Sequence, residues 1–141
     1  MTPAPSNLEP RMDLTIRIDP ATARSQRVYL AGRLDTASYA ELDRQLGPLL
    51  AANLPSLVLD LADLDYISSA GIRSIFRARK ALSAHGGKVV VVNPQPQIQK
   101  VFDLVKAVPM NEIFSSVAEA DAYLDTMQRK VLAKGEDADD D

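Results

Sequence analysis

The segment Leu57–Arg73, with the sequence LVLDLADLDYISSAGIR, decides the fold. Its aliphatic start predicts a buried strand, Leu57–Leu61, which breaks from Asp60 into a short acidic loop. The loop leads to two adjacent hydroxyl side chains, Ser68 and Ser69, where the first turn of a helix is expected. A buried strand followed at once by a helix is typical of an α/β protein.

Two strands are predicted upstream of this segment. Leu14, Ile16 and Ile18 alternate with polar residues, which indicates a half-buried strand that ends before Pro20. Residues 27–32, RVYLAG, indicate a second strand. Because the link between the two is short, we expect an antiparallel hairpin.

Four helices are predicted from apolar residues that recur at intervals of three and four. The first and last open with the Ser-x-x-Glu spacing of a capping box, Ser38–Glu41 and Ser116–Glu119. The second begins near Ser69, and the third begins at Pro96, a residue that suits the first helical position. The residues expected to face inward are Tyr39, Leu42, Leu46 and Leu49; Ile72, Ile75, Phe76 and Leu82; Ile98, Val101, Phe102 and Val105; and Val117, Ala120, Leu124, Met127 and Val131.

The remaining strands complete an α/β pattern. The four valines of residues 88–92 predict a strand buried on both faces, and a short strand is expected around Ile113 and Phe114. The resulting order is β-β-α-β-α-β-α-β-α. Helices between successive strands imply parallel pairing, while the opening hairpin makes the sheet mixed. We predict one domain with a mixed sheet of four to five strands packed by about four helices.

Composition limits the environment and the partners. The 141 residues fit a single domain, which we place at residues 12–132, after a flexible segment 1–11 and before a disordered acidic tail at 133–141. The chain has no cysteine, which suits a reducing cytosol, and no apolar run approaches the roughly 18 residues of a membrane span. Without the acidic tail the chain is close to neutral, which gives no nucleic-acid footprint. A soluble cytoplasmic protein without direct membrane insertion is expected.

Little in the sequence supports catalysis. The one histidine, His85, stands in an Ala-His-Gly-Gly turn of the kind that ends helices. Gly86–Gly87 precedes a strand, whereas a phosphate-binding loop follows one. The acidic residues Asp60, Asp63 and Asp65 lack the glycine and the terminal glutamate of a calcium loop. We therefore expect no enzyme activity, no catalytic residue, no metal and no cofactor.

Ser69 admits two interpretations. A serine at a helix start can accept a hydrogen bond from an unpaired backbone N–H, a cap worth about 1 kcal/mol. Alternatively its hydroxyl accepts a phosphate, which adds about −1.5 to −2 charges at a helix end that tolerates them. Gly71 would leave room there for another protein's active site. The second interpretation requires an exposed Ser69 hydroxyl.

A basic stripe follows Ser69 on the same predicted helix. Arg73, Arg77 and Lys80 are spaced to share its outer face. They form either an ordinary solvated surface or a ridge that docks a partner beside the hydroxyl.

Four ordered blocks resemble a known family. They are Gly32–Asp35 after a strand, LVLDLADLDYISSAGIRSI, GGKVVVVN and IQKVFDLVKAVPMNEIF. Over residues 12–128 the chain resembles the STAS domain family of bacterial anti-sigma factor antagonists. The resemblance implies a mixed sheet packed by helices and no chemistry of the domain's own. It also implies phosphorylation of the hydroxyl residue two before the motif glycine, which is Ser69, and a kinase-docking aspartate at Asp35.

Two positions depart from the family motif. The residue before the phosphorylated position is usually aspartate and is here Ser68, which makes Ser68 a rival acceptor. The residue after it often carries a second hydroxyl and is here Ala70.

The function implied by the resemblance is partner switching. The unmodified protein would bind an anti-sigma factor serine kinase, phosphorylation of Ser69 would release it, and a serine phosphatase would reset it. The partner-binding residues are expected to be Asp35, Ser68, Ser69, Gly71, Arg73 and Arg77. The alternative is a non-enzymatic STAS subunit of a membrane lipid or anion transport complex, and homodimer formation is left open. A phospho-aspartate receiver fits poorly, because the first strand does not end in an acidic pair.

Overall fold

The computed structural model describes residues 14–22, 24–107 and 114–136. Its elements follow the order β-β-α-β-α-β-α-α, an α/β arrangement. They are β1 Leu14–Ile18, β2 Ser25–Leu34, α1 Tyr39–Leu50, β3 Ser56–Ile67, α2 Ser69–Ser83, β4 Lys88–Val92, α3 Pro96–Ala107 and α4 Val117–Glu136. Residues 1–11, predicted to be flexible, lie outside this description. So does most of the predicted tail, although α4 continues four residues beyond position 132.

The four strands form one mixed sheet in the order β1-β2-β3-β4. β1 runs antiparallel to β2, and the other two pairs are parallel, which confirms the predicted hairpin and crossovers. One row of paired residues, Ile18, Val28, Leu59 and Val91, crosses the whole sheet. Val28 and Leu59 belong to the buried hydrophobic core, together with apolar residues of all four helices, and the partly buried Ile18 and Val91 pack against it.

β3 is much longer than the predicted Leu57–Leu61, and the expected acidic loop is part of the strand. Its buried residues Leu61, Leu64 and Ile67 recur at intervals of three, whereas the buried residues of a regular strand recur at intervals of two. The pairing with β2 explains this spacing, because the register shifts twice at irregularities along the shared edge. Asp63 and Asp65, which lie between these buried residues, are exposed side chains of the strand.

The valines of β4 are half-buried, so the prediction that they are buried on both faces is wrong. Among the described strands β4 is at the edge of the sheet, where it has one strand neighbour. The strand expected around Ile113 and Phe114 stays a prediction, since residues 108–113 lie outside the description. Phe114 itself is not in a strand.

The two predicted capping boxes have different outcomes. At α4 the Glu119 N–H donates to Ser116 Oγ (3.0 Å), as predicted, although the Glu119 carboxylate accepts from Ser115 N–H (2.8 Å). At α1 the Ser38 side chain makes no cap, because its hydroxyl has partners in the preceding turn. Val117, expected to face inward, is 52% exposed.

Candidate functional site

The turn between β2 and α1 is held by its own polar groups. Asp35 Oδ1 accepts from the Ala37 N–H (3.0 Å), and the Asp35 N–H donates to Ser38 Oγ (3.0 Å). The buried Ser38 hydroxyl in turn donates to the Arg33 carbonyl oxygen (2.8 Å). Gly32 precedes this turn with φ 101°, a conformation that favours glycine. Asp35 is therefore presented on a fixed backbone, with its side chain partly exposed.

The junction of β3 and α2 lies against the end of β2. Ser68 is the N-cap of α2, and its Oγ accepts from the Gly71 N–H (3.3 Å). Its own N–H donates to the Leu34 carbonyl oxygen (2.9 Å). The capping role considered for Ser69 thus belongs to Ser68. The bond to Leu34 also places the start of α2 directly beside the Asp35 turn.

Gly71 permits this close approach. A Cβ at Gly71 would lie 2.7 Å from Leu34 Cγ, 2.8 Å from the Leu34 carbonyl oxygen and 3.0 Å from Ile67 Cγ1. Gly71 is buried, so the space left by its missing side chain is filled by the protein's own core. The expectation that it makes room for another protein's active site is wrong.

Ser69 is fully buried, at 0% exposure, which contradicts the expected exposed hydroxyl. Its Oγ donates to Asp121 Oδ1 at 2.7 Å, and its N–H donates to the same oxygen at 2.9 Å. Asp121 belongs to α4, which lies across the first turn of α2. The covering group comes from 52 residues further along the chain, so nothing in the local sequence signalled it.

A second residue of α4 fixes the end of β3. Gln128 Oε1 accepts from the Ile67 N–H (3.0 Å), and its Nε2 donates to the Ile67 carbonyl oxygen (2.8 Å). Gln128 is buried. Sequence reasoning missed both Asp121 and Gln128. The available signal was a glutamine four residues after the buried Leu124, on the apolar stripe of the helix.

The outer face of α2 is basic, as predicted. Arg73, Arg77 and Lys80 are all exposed. Arg77 forms an ion pair with Asp43 of α1 (2.8 Å), which holds its side chain across the two helices. A shallow pocket of about 180 Å³ connects this face to the Asp35 turn; it is lined by Thr36, Tyr39, Ala70, Arg73, Arg77 and Val117.

The buried carboxylate of Asp60 is held by hydrogen bonds within the protein. Arg27 Nη2 lies 2.6 Å from Asp60 Oδ2, and the Asn93 amide lies beside the same carboxylate. Burial alone would raise the pKa of Asp60, but the hydrogen bonds from Arg27, the Ala62 backbone and Asn93 outweigh burial and lower that pKa. Within the described part of the chain no cluster of three or more acidic or histidine side chains could hold a metal ion.

Comparison with known proteins defines the class. Residues 20–120 match the family model of the STAS domain, and the chain therefore belongs to the STAS domain family. It is similar to BtrV of Bordetella bronchiseptica, a protein named as an anti-sigma factor antagonist, with 33% identity over 75 residues. That match covers 53% of this chain and 65% of BtrV, so the chain spans less than two-thirds of this relative's length.

Solved structures share the fold. The anti-sigma factor antagonist SpoIIAA of Bacillus, in its unphosphorylated form, superposes with a TM-score of 0.56 at 19% identity, covering 64% of this chain and 83% of SpoIIAA. An anti-sigma factor antagonist from Mycobacterium paratuberculosis gives a TM-score of 0.54 at 22% identity, covering 68% and 83%. Within residues 14–22, 24–107 and 114–136, no helix is both long and apolar enough to cross a membrane.

Proposed function

We propose that this protein is a cytoplasmic anti-sigma factor antagonist that acts by partner switching. The unphosphorylated form binds an anti-sigma factor serine kinase and so frees a sigma factor. Phosphorylation of Ser69 by that kinase ends the binding, and a serine phosphatase restores it. Membership of the STAS family and the names of its relatives support this role. The protein contributes a surface and an acceptor hydroxyl, with no catalysis of its own.

The observation that carries the proposal is the contact between the β2–α1 turn and the start of α2. The Ser68 N–H donates to the Leu34 carbonyl oxygen at 2.9 Å, so the partly exposed Asp35 lies directly beside the start of α2, where the two serines are buried. The exposed Arg73 and Arg77 extend the surface around Asp35 along α2. A kinase that contacts Asp35 and this basic face necessarily spans the start of α2.

Phosphorylation would act on this surface through charge. A phosphate on Ser69 adds about −1.5 to −2 charges at the centre of the contact. A thousand-fold loss of affinity corresponds to about 4 kcal/mol, which is within the cost of a desolvated, unpaired charge. Because Ser69 is covered by Asp121, the kinase has to act on a state in which that contact is open.

Ser68 remains the rival acceptor, and a matched pair of variants separates the two serines. At 3% exposure Ser68 is covered as well, and its hydroxyl caps α2. The full chain and its Ser68→Ala and Ser69→Ala variants are incubated with the co-purifying serine kinase and ATP, then mapped by mass spectrometry. One phosphate on Ser69 is expected in the wild type and in Ser68→Ala. Equal phosphorylation of Ser69→Ala would reject the assignment.

Co-purification also tests the choice between functions. A serine kinase retained by the tagged full chain, and lost on phosphorylation, supports partner switching. A membrane transport ATPase retained in its place would overturn the proposal in favour of a transport-complex subunit.

A further inference from the structure

We propose that α4 is a displaceable cover of the Ser69 site, and that docking of α4 and phosphorylation of Ser69 exclude each other. The regulatory meaning of this inference rests on the proposed function. The covering contact itself involves only residues of this chain, Ser69 and Asp121.

The Asp121 carboxylate occupies the position that favours an anion at the start of α2. Backbone N–H groups in the first turn of a helix have no partner within the helix and carry partial positive charge. Asp121 Oδ1 accepts one of them, the Ser69 N–H (2.9 Å), together with the Ser69 hydroxyl (2.7 Å). In the unmodified protein, α4 therefore supplies the anion that this helix start attracts.

Phosphorylation of Ser69 would turn the attraction between Ser69 and Asp121 into a repulsion. Transfer of the γ-phosphoryl group of ATP to Ser69 Oγ breaks the bond to the leaving ADP and releases the hydroxyl proton, so the donor to Asp121 disappears. The new group carries about −1.5 to −2 charges within bonding distance of a carboxylate. Attraction becomes repulsion between two anions that compete for the same N–H group. The phosphorylated site and the docked Asp121 cannot coexist in this geometry.

α4 is held by few buried groups, which makes its displacement feasible without unfolding the sheet. Of its described side chains only Ala120, Leu124 and Gln128 are buried. Asp121 is partly exposed, and the Gln128 bonds to Ile67 are polar contacts that water can replace. A helix attached through the buried Ala120 and Leu124, the partly buried Met127 and four hydrogen bonds to Ile67 and Ser69 has few buried contacts for its length and is a weakly held element of the fold.

Displacement of α4 would also alter the surface presented to a partner. Val117, at the start of α4, lines the shallow pocket together with Arg73 and Arg77. Movement of this first turn removes one wall of the pocket and uncovers Ser69 at the same time. The position of α4 thus sets both the accessibility of the acceptor and the shape of the surrounding surface.

Hydrogen exchange measured by mass spectrometry on the full chain tests the inference without any kinase. Asp121→Ala and Ser69→Glu should each raise amide exchange in α4 at least tenfold, while β3 stays protected and confirms that the sheet is folded. The matched control is Asp125→Ala, one turn further on, since Asp125 pairs with Arg129 of the same helix. It should leave α4 exchange within twofold of wild type. Wild-type exchange in both Asp121→Ala and Ser69→Glu would overturn the inference.

The kinase assay separates this inference from the proposed function. With the co-purifying kinase, Asp121→Ala should be phosphorylated on Ser69 at least fivefold faster than the wild type, and Asp125→Ala at the wild-type rate. Equal rates for Asp121→Ala and wild type would overturn the covering role. Absence of phosphate on Ser69 in every protein, with exchange raised as expected, would reject the proposed function and leave the covering contact intact.

Discussion

Replacing Gly71 by alanine tests the packing that brings the two halves of the site together. The added methyl group would meet Leu34 Cγ at 2.7 Å and the Leu34 carbonyl oxygen at 2.8 Å. The leucine side chain can rotate, but the carbonyl belongs to the backbone of β2 and accepts the Ser68 N–H. Relief of the clash therefore requires α2 to move away from the end of β2.

The magnitude follows from two opposing terms. Overpacking a well-packed core costs about 1–3 kcal/mol, and a contact with the backbone favours the upper part of that range. Alanine is favoured over glycine in a helix by up to about 1 kcal/mol. The net expectation for Gly71→Ala is a loss of about 1–2 kcal/mol in the free energy of unfolding. This corresponds to a urea midpoint lowered by about 1 M.

Gly47 provides the control, because a Cβ there meets nothing within 4 Å. It precedes Pro48 in α1, and the pre-proline restriction offsets part of the gain in helix propensity. Gly47→Ala should therefore change stability by less than about 0.5 kcal/mol in either direction. Urea unfolding followed by circular dichroism measures both variants. A Gly71→Ala protein as stable as the wild type would show that the close approach of α2 to Leu34 does not constrain this junction.

Two further variants test the polar contacts. Asp60→Asn should lower the free energy of unfolding at pH 7 by about 2 kcal/mol, less than for a fully buried pair because the Arg27 side chain is 40% exposed. Since the folded state lowers the pKa of Asp60, its contribution is present above about pH 4 and is lost as the pH falls through the lowered folded-state pKa. Urea unfolding from pH 7 to 2 should show a shallower acid loss in Asp60→Asn; an unchanged pH profile would contradict this. Ser68→Ala should lower the free energy of unfolding by about 1 kcal/mol, because the helix cap is lost. Ser83→Ala, at the exposed end of α2, should lower it by less than about 0.5 kcal/mol. Equal urea midpoints for the two variants would show that the Ser68 cap does not stabilise the helix.

Local patterns in the sequence were sufficient for most of the fold. The third helix begins at Pro96 as expected, with Ile98 and Val101 buried. The hairpin followed from the short link between the first two strands, and the parallel crossovers followed from the order of the elements. These features depend on residues within one helix or one connection, where periodicity and turn chemistry act directly.

The errors arose where tertiary contacts override local preference. The interval of three between Leu61, Leu64 and Ile67 results from irregularities shared with β2, which the sequence of β3 alone does not contain. Ser38 has the spacing of a helix cap, but its hydroxyl bonds the turn before the helix. Ser69 has the position of an accessible acceptor, yet α4 covers it. In each case the deciding partner comes from another element.

The open edge of β3 explains why α4 reaches this position. Among the described residues β4 pairs with β3 only as far as Asp60, so the second half of β3 has a strand neighbour on the β2 side alone. Side-chain amides bond that free edge: Gln95 and Gln97 donate to the carbonyl oxygens of Ala62 (2.8 Å) and Asp65 (2.9 Å), and Gln128 bonds both backbone groups of Ile67 (3.0 and 2.8 Å).

These glutamines satisfy backbone groups that a further strand would otherwise pair. They also protect the edge, because an unpaired strand edge is a template for unwanted pairing. Gln128 lies two turns from Asp121 on α4, on the same face of the helix. A helix that satisfies Ile67 through Gln128 thereby brings Asp121 over Ser69, two residues further on. Covering the strand edge and covering Ser69 are therefore one structural event, and displacing α4 would also uncover the backbone groups of Ile67.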